Sequence, residues 1–220
     1  MHITKIIIFI TIFIIGCNRA TNDPITKNLN QISGAIDHLD PQVSTGLAAS
    51  MQIAKSYESL METHPYDPPF KILPNLAEEH PLISEDGLTY TFKIKKKIFY
   101  HNSPCFKSKR ELIAEDFVTT FKRISDPRLV SPHFNYWSKI IVGLDNWHKK
   151  NLKLNKTNYS TPLIGVYAKS KYELVIKIKN YDYYFTNLLT SPTTSPIPIE
   201  AVNYYDNNFS DVMIGTGPFR

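Results

Sequence analysis

Between Leu88 and Lys95 the chain alternates strictly: Leu88, Tyr90, Phe92 and Ile94 are apolar, while Thr89, Thr91, Lys93 and Lys95 are polar. A period of two sends the first set to one face of a strand and the second to the other. The Asp86-Gly87 pair just before it is a turn signal. A second alternation runs through "YELVIKIK", with Tyr172, Leu174, Ile176 and Ile178 on one face. Between the two strands the period lengthens. In "ELIAEDFVTTFKRISDP", Phe117, Val118, Phe121 and Ile124 form one helical face, and Asp126-Pro127 ends the helix. Glu115 and Asp116 in its first turn and Lys122 and Arg123 in its last carry the signs a helix dipole favours. Upstream, "ISGAIDHLDPQ" predicts a short strand ending at Asp40-Pro41. It is followed in "STGLAASMQIAKSYESL" by a helix with Leu47, Met51, Ala54 and Tyr57 as its apolar stripe. The Pro-rich "HPYDPPFKILP" excludes regular structure around Pro65 to Pro69, and "NYDYYFTNLLTSPTTSPIP" predicts a short aromatic helix and then a Pro/Thr loop.

The N-terminus follows a different rule. One lysine, Lys5, precedes a run from Ile6 to Ile15 that is apolar but for Thr11. Ten residues fall short of the ~20 a helix needs to cross a bilayer, so the run reads as the apolar part of a secretory signal. Asn18 to Asn30 are polar and without period, which suits a flexible tether.

Composition narrows the chemistry. The chain has 220 residues, 42% hydrophobic and 12% aromatic, enough to bury a core, and its formal net charge is +5. Lysines such as Lys93, Lys95, Lys177 and Lys179 occupy the solvent positions of the alternating strands, and no nucleic-acid-binding motif accompanies them. The seven histidines show no metal-ligand spacing. There is no GxSxG elbow, and "GTGP" near Gly215 is neither GxGxxG nor followed by a helix that could cradle a phosphate. The two cysteines, Cys17 and Cys105, do not suggest a disulfide framework, and Cys105 in "NSPCFKS" reads as a half-buried loop thiol. Neither catalytic residues nor a metal or other cofactor are implied. A mixed helix and strand protein that is exported and lacks a reaction centre is expected to bind something.

The order of the motifs adds a resemblance. Ile14-Ile15-Gly16-Cys17 resembles the lipobox of bacterial lipoproteins, in which cleavage before the cysteine frees its thiol for lipidation. "LDPQ" (Leu39 to Gln42), "SYESL" (Ser56 to Leu60), "PNLAEEHPLISEDGLTYTFKIKKKIFYHNSPCF", "LIAEDFVTTFKRISDP", "YELVIKIK" and "IGTGPFR" together resemble, in order, the family 5 extracellular solute-binding proteins. These are the oligopeptide- and dipeptide-binding lipoproteins of ABC importers. The pattern is departed from at Ser59, Lys97 and Ser103, which stand where the family has Gly, at His80 in place of Trp, and at Ile113 in place of an N-capping Thr. Where such a glycine needs a positive φ, a side chain costs about 1 kcal/mol. A lost N-cap costs a similar amount.

The resemblance implies an α/β, type II periplasmic-binding-protein-like fold: a first lobe with a small α+β insertion domain, and the second lobe absent. The implied organisation is a lipoprotein signal peptide (1–16), a lipidated tether (17–30), a first-lobe segment (31–60), the insertion subdomain (61–165) and a further, incomplete first-lobe segment (166–220). The implied function is peptide capture and delivery to the importer's permease subunits, with lipid attached at Cys17. Thr45, Gly46, Leu47 and His133 stand where the first lobe meets an extended peptide. The expected location is exported and membrane-anchored, in the periplasm or on the outer face of the cytoplasmic membrane. Two other readings stay open: a receptor for another small solute such as a sugar or metal chelate, and a structural or degenerate surface lipoprotein without ligand.

Overall fold

The computed structural model describes residues 36, 38–64, 66 and 71–219. Expectations for the signal segment, Cys17, the tether and Pro65 with Asp67 to Phe70 lie outside the described residues. Both alternating segments are strands. β1 (Met61–Thr63) and β2 (Ile72–Pro74) form an antiparallel ladder, so the Pro-rich loop is closed by a ladder that includes its last residues. β3 (Leu82–Ile83), β4 (Thr89–Lys93), β5 (Val166–Ser170) and β6 (Glu173–Lys177) form a second sheet in the order β3-β4-β6-β5. Every ladder described is antiparallel.

The opening alternation has the orientation its period predicts. Tyr90 and Phe92 are buried, Lys93 is exposed, and Phe92 lies opposite Leu174 while Tyr90 lies opposite Ile176. Leu174, Ile176 and Ile178 are buried on the partner strand. β4 and β6 are separated by some 80 residues of chain, and their ladder joins Thr89–Lys93 to Glu173–Lys177. One sheet therefore spans the boundary expected between 165 and 166, and Ser33–Arg220 forms one compact unit.

Helix α1 covers Leu47–Ser56 and α2 Ala114–Ile124. α2 buries Phe117, Val118, Phe121 and Ile124 against β5 and β6. Its N-cap is Ile113, which offers no side-chain oxygen. Asp116 compensates from inside the helix: its Oδ2 accepts from the Ile113 N–H at 3.0 Å. α3 (Phe134–Ile140) and α4 (Leu144–Leu152) place Trp137 and Trp147 in the core, α5 is the expected short aromatic helix at Phe185–Leu188, and α6 is Ile199–Tyr205. Cys105 is free and half-buried; burial pushes its thiol up, while Ser103 counteracts part of that rise.

Two expectations are corrected. Residues 38–40 carry no strand; Asp40 starts a turn in which the Val43 and Ser44 N–H groups donate to its carbonyl. On α1 three of the four expected stripe residues are out of phase; the fourth, Tyr57, is buried just past the helix end. Ala49, Ile53 and Ser56 are buried, whereas Leu47 is 79% and Met51 46% exposed, and Ala54 faces solvent. The reason is what docks there: the Pro192–Thr194 turn packs against the helix, and the backbone of Gly215 to Phe219 lies on its last turn, with Gly217 N–H donating to Ser56 O and Phe219 N–H to Lys55 O. A Cβ at Gly215 would meet Ser56 O at 1.8 Å, so "GTGP" is a glycine pair selected by close backbone approach. Lys122 and Arg123 stand in the last turn of α2, as expected. Both are buried, and Lys122 Nζ donates to Tyr159 O at 2.8 Å.

Of the three family glycine positions, only Lys97 has a positive φ, +60°. Ser59 and Ser103 instead use their hydroxyls, the first donating to Ser191 O at 2.9 Å and the second meeting the Tyr205 hydroxyl at 2.8 Å. Lys97 is exposed, and its backbone N–H donates to Glu111 Oε1, a bond a glycine keeps. Lys97→Gly is therefore expected to stabilise the fold by about 0.5–1 kcal/mol. That corresponds to a melting temperature roughly 1–4 °C higher. A lower melting temperature would mean that the side chain contributes more than the strain costs.

Candidate functional site

The segment Asp40 to Leu47 is held from beneath by a buried polar cluster. Asp40 accepts two bonds from Arg123, Nη1 to Oδ1 at 3.0 Å and Nη2 to Oδ2 at 2.8 Å, and both residues are at most 3% exposed. A planar fork on a carboxylate fixes direction as well as distance. Asp40 Oδ1 also accepts from the Gln42 N–H at 3.0 Å, Arg123 donates to Gln42 Oε1, and Gln42 Nε2 donates to Thr193 O at 3.1 Å. The guanidinium lies 4.1 Å from the Phe209 ring centroid. Burial opposes the charge on Arg123, but the adjacent Asp40 outweighs it and holds the guanidinium protonated above its ordinary range. Tyr57 and Tyr159, near the pair, are pushed well above the usual phenol range by burial first.

Two hydrogen bonds carry this order to the surface. Ser131 Oγ donates to Gln42 O, and His133 Nε2 donates to Ser44 O at 3.0 Å, which sets the tautomer with the proton on Nε2. His133 thus meets the backbone one residue before Thr45. Thr45 is exposed, Gly46 half-buried and extended as the cap of α1 (φ −75°, ψ 138°), and Leu47 exposed. Segments nearly ninety residues apart share one surface. Onto it open the apolar side chains of Leu47 and Met51 and, beside His133, the exposed Tyr136.

All four residues singled out in the sequence are therefore neighbours around one backbone segment. None of them lines either of two concavities on the chain. One, of about 610 Å³, is bordered by Asp40, Arg123, Asp126 and Phe209; the other, of about 540 Å³, lies beside α4. What the four residues offer is an open wall: a short extended backbone, one fixed imidazole and an apolar rim. Such a wall suits a backbone or apolar group laid along it. The Asp40–Arg123–Gln42 cluster that supports it went unread in the sequence. Arg123 stands well round the helix from the Phe117, Phe121 and Ile124 face, so nothing local marked it, and the fold alone brings Asp40 against it.

Residues 71–220 match the family described as "Bacterial extracellular solute-binding proteins, family 5 Middle". The chain is 33% identical over 98 residues, 44% of its length, to the "Peptide transport periplasmic protein SapA" of Salmonella typhimurium. It is 29% identical over 140 residues, 62% of its length, to a "Dipeptide-binding protein" of Lactococcus lactis. These alignments span 17% and 23% of the two relatives. Among solved structures, Listeria monocytogenes OppA bound to peptide superposes with a TM-score of 0.71 at 21% identity, over 86% of this chain and 34% of that one. The pheromone receptor PrgZ superposes with a TM-score of 0.70 at 22% identity and the same coverage. The fold is thus shared with about a third of each of these longer chains.

Proposed function

From the premise that the chain belongs to the family 5 bacterial extracellular solute-binding proteins, we propose that it supplies one wall of a peptide-binding cleft. That cleft would serve a receptor delivering peptides to an ABC importer. The observation that carries this reading is the His133–Ser44 hydrogen bond, which joins Thr45, Gly46 and Leu47 to His133 on one open surface. In this reading an extended peptide lies along the Ser44 to Leu47 backbone, as in strand addition. The Leu47–Met51 row of α1 and Tyr136 give apolar contact that is indifferent to side-chain identity. The chain's role is to bind and deliver, not to catalyse. Cys17 carries the lipid that keeps the receptor at the membrane on its exported side, within reach of the permease.

One wall is not a receptor. Each net hydrogen bond contributes only about 0.5–1.5 kcal/mol, and association costs several kcal/mol in lost freedom. Micromolar binding needs about 8 kcal/mol. The 220-residue chain alone is therefore expected to bind tri- to pentapeptides more weakly than about 10 μM. Photo-cross-linking at millimolar peptide tests both halves of the proposal: adducts should be confined to Ser44 to Met51 and Pro132 to Tyr136. Adducts concentrated elsewhere would overturn the assigned wall. Saturable calorimetric binding tighter than 10 μM would overturn the single-wall argument.

A further inference from the structure

Helix α4 carries cations in and just past its last turn that no carboxylate of the described residues answers. Leu144, Trp147 and Asn151 bury one side of the helix, which leaves Lys149 and Lys150 exposed, with the equally exposed Lys153 just past its end. The helix's own acid, Asp145, is taken by Lys179 at 3.2 Å. Among the described residues none of the three lysines has an acidic partner. They converge on the 540 Å³ concavity, whose wall also includes Leu154 and Ile164. Leu154 is 43% and Ile164 63% exposed, and the neighbouring Leu152 is 62% exposed. A solvated helix face has no need of three large aliphatic side chains in water beside its lysines.

We propose that this face docks onto an anionic membrane surface. Ammonium groups would meet the headgroup phosphates while Leu152, Leu154 and Ile164 bury into the boundary between headgroups and acyl chains. The charge is complementary, and the apolar residues distinguish a lipid surface from a nucleic acid. A single-strand site would stack bases on an exposed ring, but the aromatic of this patch, Trp147, is buried with its Nε1 donating to Thr161 O, and a duplex held through its phosphates has no use for the exposed aliphatics. A second observation points the same way. The apolar run Ile6 to Ile15 followed by Gly16-Cys17 would keep the domain on a short leash at a bilayer, where high effective concentration makes weak docking count. That clause rests on the anchored reading above; the patch itself does not.

The test uses the full chain on vesicles of phosphatidylcholine alone and of phosphatidylcholine with phosphatidylglycerol. Amide exchange of residues 144–164 is expected to slow several-fold on the anionic vesicles only. The difference should vanish at high salt, because screening removes the attraction. It should also vanish in a Lys149→Gln, Lys150→Gln, Lys153→Gln variant, since each lysine near such a surface is worth roughly fivefold in association. Equal exchange on the two vesicle types, or slowing that survives the triple replacement, would overturn the proposal. The mass of the N-terminal peptide reports acylation of Cys17 independently. Charge-dependent protection without acylation would keep the docking face and reject the anchor; acylation with equal exchange rates would do the reverse.

Discussion

Asp40→Ala is expected to cost about 3–5 kcal/mol of folding stability, because it leaves the guanidinium of Arg123 buried without its counter-charge. Arg123 is 3% exposed, and its remaining partners, the Gln42 side chain and the face of Phe209, supply no negative charge. For a chain of this length that is a melting temperature roughly 6–20 °C lower. The paired replacement Asp40→Leu with Arg123→Met should cost less than the single one, since no charge is then left in the interior. Thermal or urea unfolding of the three proteins decides it. A single variant within about 0.5 kcal/mol of the parent would show that water reaches the guanidinium. The loss should also be felt at the surface: with Asp40 gone, the turn whose carbonyl accepts from Val43 and Ser44 loosens. Amide exchange at Thr45 to Leu47 should then rise before global unfolding.

Phe92→Ala is expected to cost a similar 3–5 kcal/mol, through lost transfer energy and the cavity left behind. Phe92 is fully buried in β4, between β3 and β6 and opposite Leu174. Tyr90→Ala should approach it, since Tyr90 is 3% exposed with its ring 4.6 Å from that of Phe185. The alternation itself is tested by the intervening face. Lys93, 56% exposed and paired with Glu79, should cost under about 0.5 kcal/mol when replaced by Ala, the usual worth of a surface ion pair. Equal losses at Phe92 and Lys93 would contradict the orientation of the strand.

These two expectations differ in where they can be read. That Phe92 and Tyr90 share a buried face follows from Leu88 to Lys95 alone, because a period of two is a property of consecutive residues. The face of α2 was legible for the same reason: Phe117, Phe121 and Ile124 recur at the helical period, and Asp126-Pro127 stops the helix. The order of the short motifs also pointed to the family to which residues 71–220 conform. Thr45, Gly46, Leu47 and His133 could be named from those motifs, though not the hydrogen bond that makes them neighbours.

What no local pattern determines is which distant group fills the other side of an element. On α1 the hydrophobic residues are spread widely enough that more than one face could be buried. The choice went to Ala49, Ile53 and Ser56 because the Pro192–Thr194 turn and, at the last turn, the Gly215 to Phe219 backbone pack there, leaving Leu47 and Met51 outward. Arg123 looks from sequence like a cation serving the end of α2; it becomes the centre of a buried cluster only because Asp40, some 80 residues earlier, comes to lie against it. β4 likewise finds β6 rather than a sequence neighbour as its long partner. The sequence by itself determined the periods, the turns and the family. The tertiary structure alone decided the pairings, because a contact between distant residues forms only where the rest of the chain brings both to the same place, and its energy depends on the water excluded there.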